Sequence, residues 1–376
     1  MGHGKLALTF LFVVHCAVAK ISTNTISEAF HHKGTLHQVE LGKVVLYLQQ
    51  TPTIIARSTS DRMQQELILG LPATTVEKKL LSFKGEQYDE GHAMLYCAQV
   101  HKGNNRHEVE LVIRYDGQRV VPEYALFDSI SQKKGLVITF YNKKLLDRIQ
   151  GNERGALCIA ACTRAPSVVI DPGHGGHDCG ASNSAQLCEK DIVLAIGKHV
   201  VHFLSCNGIE SHLTRKDDTF VPLDERTTLA NELNATLLVS IHVNTSNRVQ
   251  ASGIETFCAP HTLLHEKKVL DTSYSDTIER IRSELSTSSR ALADNIHAYV
   301  MREIQSVCEK GICDRGVKHS VGQVLLTSRP SVIVEVGFLS NPEERARLAS
   351  VEYQTAAARG IARGIIACMP QQVQSF

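Results

Sequence analysis

Two histidines and two carboxylates occur where apolar runs of the sequence end or helical periodicity begins. His174 lies in a glycine-rich stretch after one such run, and His242 directly follows another. Glu189 starts a segment of helical periodicity, and Glu335 lies inside an apolar run. Two histidines and one carboxylate with an open fourth position form a common catalytic zinc site, in which the ion activates water and polarises a carbonyl. The pattern therefore indicates a metal-dependent hydrolase.

Each of these residues also has a structural explanation. Glu189 would favour the helix dipole as a first-turn carboxylate in contact with solvent. His242 would be a hydrogen-bonded core histidine, and His177 has the same ligand chemistry as His174. Glu335, whose burial should raise its pKa as a general acid/base requires, could instead pair with an arginine such as Arg215 or Arg226.

These side chains need a scaffold that brings them together. From about residue 165, apolar runs of strand length alternate with helical periods, ending in a long charged helix at about 275–308 and a last helix at about 343–368. Alternation of this kind predicts an α/β fold, a mostly parallel sheet with helices on both faces. Functional groups gather at the carboxyl ends of strands in such sheets.

The preceding part of the chain has a different texture. Five short apolar or alternating runs, separated by turn-prone residues, predict a β-rich accessory domain over residues 20–160, ahead of a catalytic domain over residues 165–370. These runs are 44–48, 66–71, 92–100, 108–114 and 136–141.

The first 19 residues resemble a cleavable signal peptide. They carry Lys5, a short apolar core and the small-residue site 17–19, so we expect export to the periplasm with Lys20 as the first mature residue. No later segment has 18 unbroken apolar residues, so we expect no membrane span. The formal charge of +1 gives no reason to expect a nucleic-acid partner.

Eleven cysteines occur, and export permits disulfides. The neighbouring candidates are Cys158 with Cys162, Cys179 with Cys188 and Cys308 with Cys313, but spacing alone does not decide between disulfides and unpaired thiols.

Five stretches resemble, in order and spacing, the amidase-3 family of zinc-dependent N-acetylmuramoyl-L-alanine amidases. They are VVIDPGHGGHDCGA, CEKDIVLAIGKHV, LTRKDDTFVPLDERTTLANELNA, LLVSIHVN and SVIVEVGFLSNPEE, within about residues 166–368. The resemblance implies one zinc ion held by His174, Glu189 and His242, with Glu335 as the catalytic glutamate and His177 outside the ligand set. One departure is Cys179, where the family often has proline.

The family resemblance implies hydrolysis of the amide between N-acetylmuramic acid and L-alanine in peptidoglycan or muropeptides, for septal wall splitting or remodelling. It also suggests an AMIN-like accessory domain and a partner from the division machinery. The alternatives are a wall carboxypeptidase or endopeptidase, or a wall-binding protein with an inactive amidase domain. An S-x-x-K match at 131–134 is expected by chance.

Some members of the family block their zinc with a helix inserted at a position that corresponds here to about residues 261–289. Tyr274, Ile278, Ile281 and Leu285 form an apolar stripe there, with Glu279 and Glu284 beside it. We expect a short surface helix with solvated carboxylates, an open cleft and activity without an activator.

Overall fold

The protein is described by a computed structural model. Its described residues are 24–33, 40–48, 52, 54–60, 65–72, 74–76, 80–81, 84–88, 94–103, 108–128, 134–151, 166–182, 187–259, 264–308, 311–320 and 327–369. The expected signal peptide, Cys158, Cys162 and Ser131 lie outside them. No helix of the described residues is long and apolar enough to cross a membrane.

The N-terminal region is built almost entirely of strands. Each of the five runs expected to be strands coincides with a strand in the described residues, which leave out residues 92–93. Further strands, which the pattern did not predict, lie before and between them. The elements are β1 (Asn24–Lys33), β2 (Glu40–Leu48), β3 (Ile55–Ser60), β4 (Gln65–Pro72), β5 (Thr74–Val76), β6 (Lys84–Tyr88), β7 (Met94–Lys102), β8 (Glu108–Tyr115), β9 (Val120–Asp128), β10 (Lys134–Asn142) and the helix α1 (Lys143–Gly151).

These strands form two sheets with a shared core. One sheet contains β9, β10, β2, β1 and β5 in that order, and the other has the order β3-β4-β8-β7-β6. Leu46 and Ile138 of the first sheet and Leu69 and Leu111 of the second belong to one buried cluster. The region is therefore a sandwich, in which alternate residues of each strand face the opposite sheet.

The C-terminal region has the expected α/β architecture. Its sheet has the order β12-β11-β13-β17-β14-β16, and β14 with β17 is the one antiparallel pair among these neighbours. The strands are β11 (Ser167–Pro172), β12 (Glu210–Leu213), β13 (Leu237–Asn244), β14 (Ile254–Cys258), β16 (Asp314–His319) and β17 (Ser331–Phe338).

Helices cover both faces of this sheet. On one face, Ile196, Ile296 and Ile361 from three helices share a buried cluster with the central strands. On the other face, Ala230 packs against Val169 of β11. The helices are α2 (Glu189–Cys206), α3 (Leu223–Glu232), α4 (Ser275–Gln305), α5 (Pro342–Leu348) and α6 (Val351–Ala367).

The single C-terminal helix expected at about 343–368 is wrong, because two helices occur there. The α5 helix ends at Leu348, and the side chain of Ser350 then accepts a hydrogen bond from the backbone N–H of Tyr353. A serine in this role caps a new helix N-terminus and so starts α6.

One segment of the C-terminal region extends the N-terminal sandwich. The strand β15 (Leu264–Val269) lies between β14 and α4 in sequence but pairs antiparallel with β9. Just after it, Tyr274 and Ile278 are buried against Val121 and Tyr141. The expected short solvated helix is therefore wrong: α4 has 31 residues, and its first turns pack on the sandwich.

Candidate metal centre

Three of the four predicted site residues form one cluster at the carboxyl edge of the parallel sheet. His174 follows β11, Glu189 is the first residue of α2, and His242 lies near the end of β13. One ligand atom from each residue lies within 4.8 Å of the other two. In the part of the chain that the structure describes, these three side chains form the group that could hold a metal ion.

The buried carboxylate of Glu189 makes polar contacts through both of its oxygen atoms. Its Oε1 lies 2.9 Å from Nδ1 of His242 and accepts a hydrogen bond of 2.9 Å from the backbone N–H of Val243. Its Oε2 accepts a hydrogen bond of 2.8 Å from Ala181 N–H and lies 3.2 Å from Nε2 of His174. The first-turn carboxylate in contact with solvent is thus ruled out, since Glu189 is only 3% exposed.

These contacts determine the charges at the centre. Burial disfavours the ionised form of Glu189, but hydrogen bonds from both histidines outweigh it and hold its pKa well below the usual range. Burial likewise disfavours the imidazolium of His242, but the hydrogen bond and charge of Glu189 outweigh this effect and raise its pKa to about 9. An anionic carboxylate between two imidazoles provides the donor types that Zn²⁺ binds.

His174 adopts an unusual backbone conformation that the loop around it supports. Its φ is 59°, in the left-handed region that few non-glycine residues occupy. Nδ1 of its ring lies 2.8 Å from Oδ2 of Asp178, which directs Nε2 towards Glu189. At Gly180, a Cβ atom would lie 2.5 Å from Oε2 of Glu189, so only glycine fits there. Sequence reasoning missed Asp178, although metal-binding histidines generally have such a partner on the other ring nitrogen.

Two arginines fix the backbone of this loop. Arg215 donates to the carbonyl oxygens of Pro172 and Gly173, and Arg226 donates to those of Pro172 and His174. Arg226 also forms a buried ion pair of 2.7 Å with Asp171. The alternative in which Arg215 or Arg226 pairs with Glu335 is therefore wrong, because both guanidinium groups hold the loop that carries His174.

A disulfide closes the same loop onto α2. Cys179 and Cys188 are bonded, as one of the three candidate pairs had suggested. Cys188 directly precedes Glu189, and Cys179 directly follows Asp178, so the bond links the segment that orients His174 to the start of α2. Cys308 and Cys313 are free thiols, so that candidate pair is wrong.

Glu335 lies on β17 as the register partner of His242. Its Oε2 is buried and has no hydrogen-bond partner among the described residues. Burial, together with the nearby charges of Glu189 and Glu255, raises its pKa to about 7 despite the opposing charge of His242. Such a carboxyl group can both accept and donate a proton near neutral pH.

The remaining sequence candidates lie elsewhere. His177 is exposed and contacts the ring of Phe220, with 4.3 Å between the ring centroids, and it does not belong to the cluster. Glu279 forms ion pairs with Lys267 and Arg282 rather than with the cluster, and Glu284 does not belong to it either.

Comparison with known proteins places the C-terminal region in a family. The model of the Amidase_3 family, described as N-acetylmuramoyl-L-alanine amidase, matches residues 168–367. The protein YqiI of Bacillus subtilis is 37% identical over 217 residues, which cover 56% of this chain and 91% of YqiI. The N-acetylmuramoyl-L-alanine amidase AmiA of Escherichia coli is 32% identical over 219 residues, covering 53% of this chain and 74% of AmiA.

Among solved structures, the catalytic domain of the amidase CwlV from Bacillus (Paenibacillus) polymyxa is 33% identical. The match covers 54% of this chain and 97% of the CwlV chain, and its TM-score is 0.44. The chain belongs to the N-acetylmuramoyl-L-alanine amidase family, and the resemblance seen in its motifs is confirmed. It is thus a member of a family of hydrolases that cleave an amide bond in peptidoglycan.

Proposed function

We propose that this member of the amidase family is a zinc-dependent enzyme that cleaves the amide between the lactyl group of N-acetylmuramic acid and L-alanine. His174, Glu189 and His242 hold the ion, and Glu335 is the catalytic acid/base. The observation that carries the proposal is the convergence of three ligand atoms within 4.8 Å, with Glu335 in register beside His242.

The donor set suits zinc. Two imidazole nitrogens and one carboxylate are the protein ligands of many catalytic zinc sites, and they leave a position open for water or substrate. The contact between Asp178 and Nδ1 of His174 leaves Nε2 of that ring for the metal. When bound there, zinc would lower the pKa of a water molecule and polarise the substrate carbonyl.

Glu335 accounts for the proton transfers. Its carboxylate takes a proton from the water whose oxygen forms the new bond to the lactyl carbonyl carbon. It then passes that proton to the nitrogen of L-alanine as the carbon–nitrogen bond breaks. Its unpaired Oε2 and its pKa of about 7 suit a group that must accept and then release a proton.

The wider biological role is part of the same proposal. The signal peptide of residues 1–19 sends the protein to the periplasm, where the β-rich region of residues 20–160 binds the wall or localises the catalytic region of residues 165–370. The enzyme splits or remodels the septal wall, with a partner from the division machinery. The β-sandwich of the N-terminal region, separate from the α/β sheet that carries the metal centre, supports an accessory role for it.

The test is digestion of purified sacculi with the full chain, with and without a chelator, followed by mass analysis of the products. We expect released peptides that begin with L-alanine, and loss of this release on chelation. Peptides cleaved internally or shortened at the carboxyl end would instead identify an endopeptidase or a carboxypeptidase. No cleavage by zinc-loaded protein would identify an inactive, wall-binding amidase domain.

A further inference from the structure

A polar cleft of about 570 Å³ is lined by Asn244, two residues after His242, and by Glu255, the register partner of Glu335. It extends from the end of β13 to β14 and the edge strand β16. Its side chains are mostly polar or cationic, and they are Asn244, Thr245, Ser246, Arg248, Gln250, Ala251, Glu255, Arg315 and Phe338. None of these residues has a role in the reaction described above.

Glu255 organises the floor of this cleft. It is the register partner of Glu335 on the neighbouring strand and is only 4% exposed. Its Oε1 accepts a hydrogen bond from the side-chain amide of Asn244. Its Oε2 accepts from Nε of Arg315 at 2.8 Å and from Nζ of Lys318. Both carboxylate oxygens are therefore engaged by protein donors.

These and neighbouring contacts position Arg315 without occupying all of its N–H donors. Its guanidinium lies over the ring of Phe338, with 4.8 Å between Cζ and the ring centroid. Nη1 makes a long contact of 3.5 Å with the carbonyl of Ser252. The side chain is 32% exposed, so part of its fork of N–H donors remains available to a ligand.

The charges of the cleft favour an anion. Among the lining residues, Arg248 and Arg315 are cationic and Glu255 is anionic, which leaves a net charge of +1. Lys318, which pairs with Glu255, adds a further positive charge beside the cleft. Arg248 is exposed, and no acidic partner contacts it among the described residues. A planar guanidinium pre-oriented by a buried carboxylate is well suited to bind a second carboxylate.

The strand register places Arg315 close to the catalytic carboxyl group. Arg315 donates to Glu255 at 2.8 Å, and Glu255 is the register partner of Glu335 on the neighbouring strand. Phe338, beneath the guanidinium, lies on the same strand as Glu335. A carboxylate on a residue shortly beyond the scissile amide would therefore reach Arg315.

We propose that Arg315, positioned by Glu255 and assisted by Arg248 and Lys318, binds a free carboxylate of the peptide that leaves, and so selects acidic peptide stems. This inference rests on the proposed function for the identity of the peptide. Arg315 is a specificity-determining residue in this scheme, and Glu255 is a positioning residue.

The test compares two muropeptides that differ at one group. In the first, the second stem residue keeps a free α-carboxylate, and in the second this group is a carboxamide. Wild type, Arg315→Gln and Arg315→Lys are each assayed for kcat/KM on both substrates. Binding of the two free stem peptides is measured separately by calorimetry. Arg302→Gln, an exposed change on α4, serves as the matched control for loss of one arginine charge.

We expect wild type to prefer the carboxylate substrate by about 10- to 100-fold, the value of one charge-assisted hydrogen-bonded pair. Arg315→Gln should abolish this preference by losing activity on that substrate alone. Arg315→Lys should recover only part of it, because an ammonium lacks the planar fork. Arg302→Gln should behave like wild type.

Equal kcat/KM of wild type on both substrates would overturn the inference, as would an equal loss on both in Arg315→Gln. Absence of L-alanine-terminated products from wild type would instead refute the proposed function. In that case the calorimetry still decides the inference. Tighter binding of the carboxylate peptide by wild type than by Arg315→Gln supports it, and equal binding overturns it.

Discussion

Oε1 of Glu189 lies 2.9 Å from Nδ1 of His242, although 53 positions separate the two residues in the chain. Through its other oxygen, the same carboxylate contacts the loop of His174. Glu189 therefore joins three segments that only the folded sheet brings together. A vacancy at any of the three positions should open the whole centre.

The first prediction concerns metal retention. His174→Ala, Glu189→Ala and His242→Ala should each lose most bound zinc and all useful activity, because a site with three protein ligands tolerates no vacancy. Metal content by mass spectrometry of the purified protein is the measurement. His177→Ala, which changes an exposed histidine of the same loop, should keep its zinc. Stoichiometric zinc in His242→Ala would refute the ligand assignment.

The second prediction separates the two carboxylates. Glu335→Gln should keep zinc and the fold while turnover falls by about 10²–10⁴-fold, because the amide retains the shape of the side chain but cannot accept the proton. Zinc content and kcat on soluble muropeptides are measured together. If Glu335→Gln lost zinc while Glu189→Ala kept it, the roles of the two glutamates would be reversed.

The clustering of His174, Glu189 and His242 was predictable because chain positions could be converted into positions on a sheet. His174 and His242 follow apolar runs, Glu335 lies inside one, and the carboxyl ends of parallel strands meet at one edge. Arg215 and Arg226 could not be placed in this way. Their acceptors are mainly backbone carbonyls, which every residue has, so no residue type signals the contact.

The pairing of β15 with β9 could not be predicted from the sequence either. A strand pairs with a distant sheet edge through backbone hydrogen bonds. Its side-chain pattern therefore does not indicate which strand it will pair with. In β9, Pro122 interrupts the pattern expected of an interior strand, so that strand was not recognised at all. Edge pairings of this kind depend on which edges the completed fold leaves free.

The third prediction concerns the Cys179–Cys188 disulfide. The double change of both residues to serine should lower the free energy of unfolding by about 2–4 kcal/mol, because the crosslink no longer restricts the unfolded chain. It should also speed the loss of zinc to a chelator, since the loop that carries Asp178 is no longer linked to the start of α2. Denaturant titration and chelator competition measure the two effects. Cys206→Ser, at an exposed free thiol, should change neither. Unchanged zinc loss in the double variant would show that the disulfide does not support the centre.

The fourth prediction concerns the buried pair of Asp171 and Arg226. Burial opposes ionisation of Asp171, but Arg226 and the hydroxyls of Thr214 and Ser240 outweigh it and lower its pKa. Because the folded pKa lies below the unfolded one, the stabilisation is complete above about pH 4 and is lost as the pH falls through the folded value.

Asp171→Asn should therefore cost about 3–5 kcal/mol of unfolding free energy at pH 7, since it leaves the Arg226 charge buried without its partner. The unfolding free energy of this variant should also decrease less than that of wild type as the pH falls. Denaturant titrations at pH 7 and at several pH values below 4 measure both effects. Asp294→Asn, which removes an exposed ion pair with Arg290, should change stability by less than about 1 kcal/mol. Equal costs for the two variants would contradict the role assigned to burial.

The last prediction concerns the arm formed by β15 and the first turns of α4. Ile278 is fully buried against the β-sandwich, and Arg282 pairs there with the buried Glu123. Ile278→Asp places a charge in this interface and should release the arm, because an unpaired buried carboxylate is strongly unfavourable. Backbone amides of β15 should then exchange faster with solvent. Activity on soluble muropeptides should not rise, since the contacts of Tyr274, Ile278 and Arg282 are with the sandwich and not with the metal centre. Ser283→Asp, at an exposed position of the same helix, controls for the added charge. A many-fold rise in activity in Ile278→Asp alone would show that the arm restrains the enzyme.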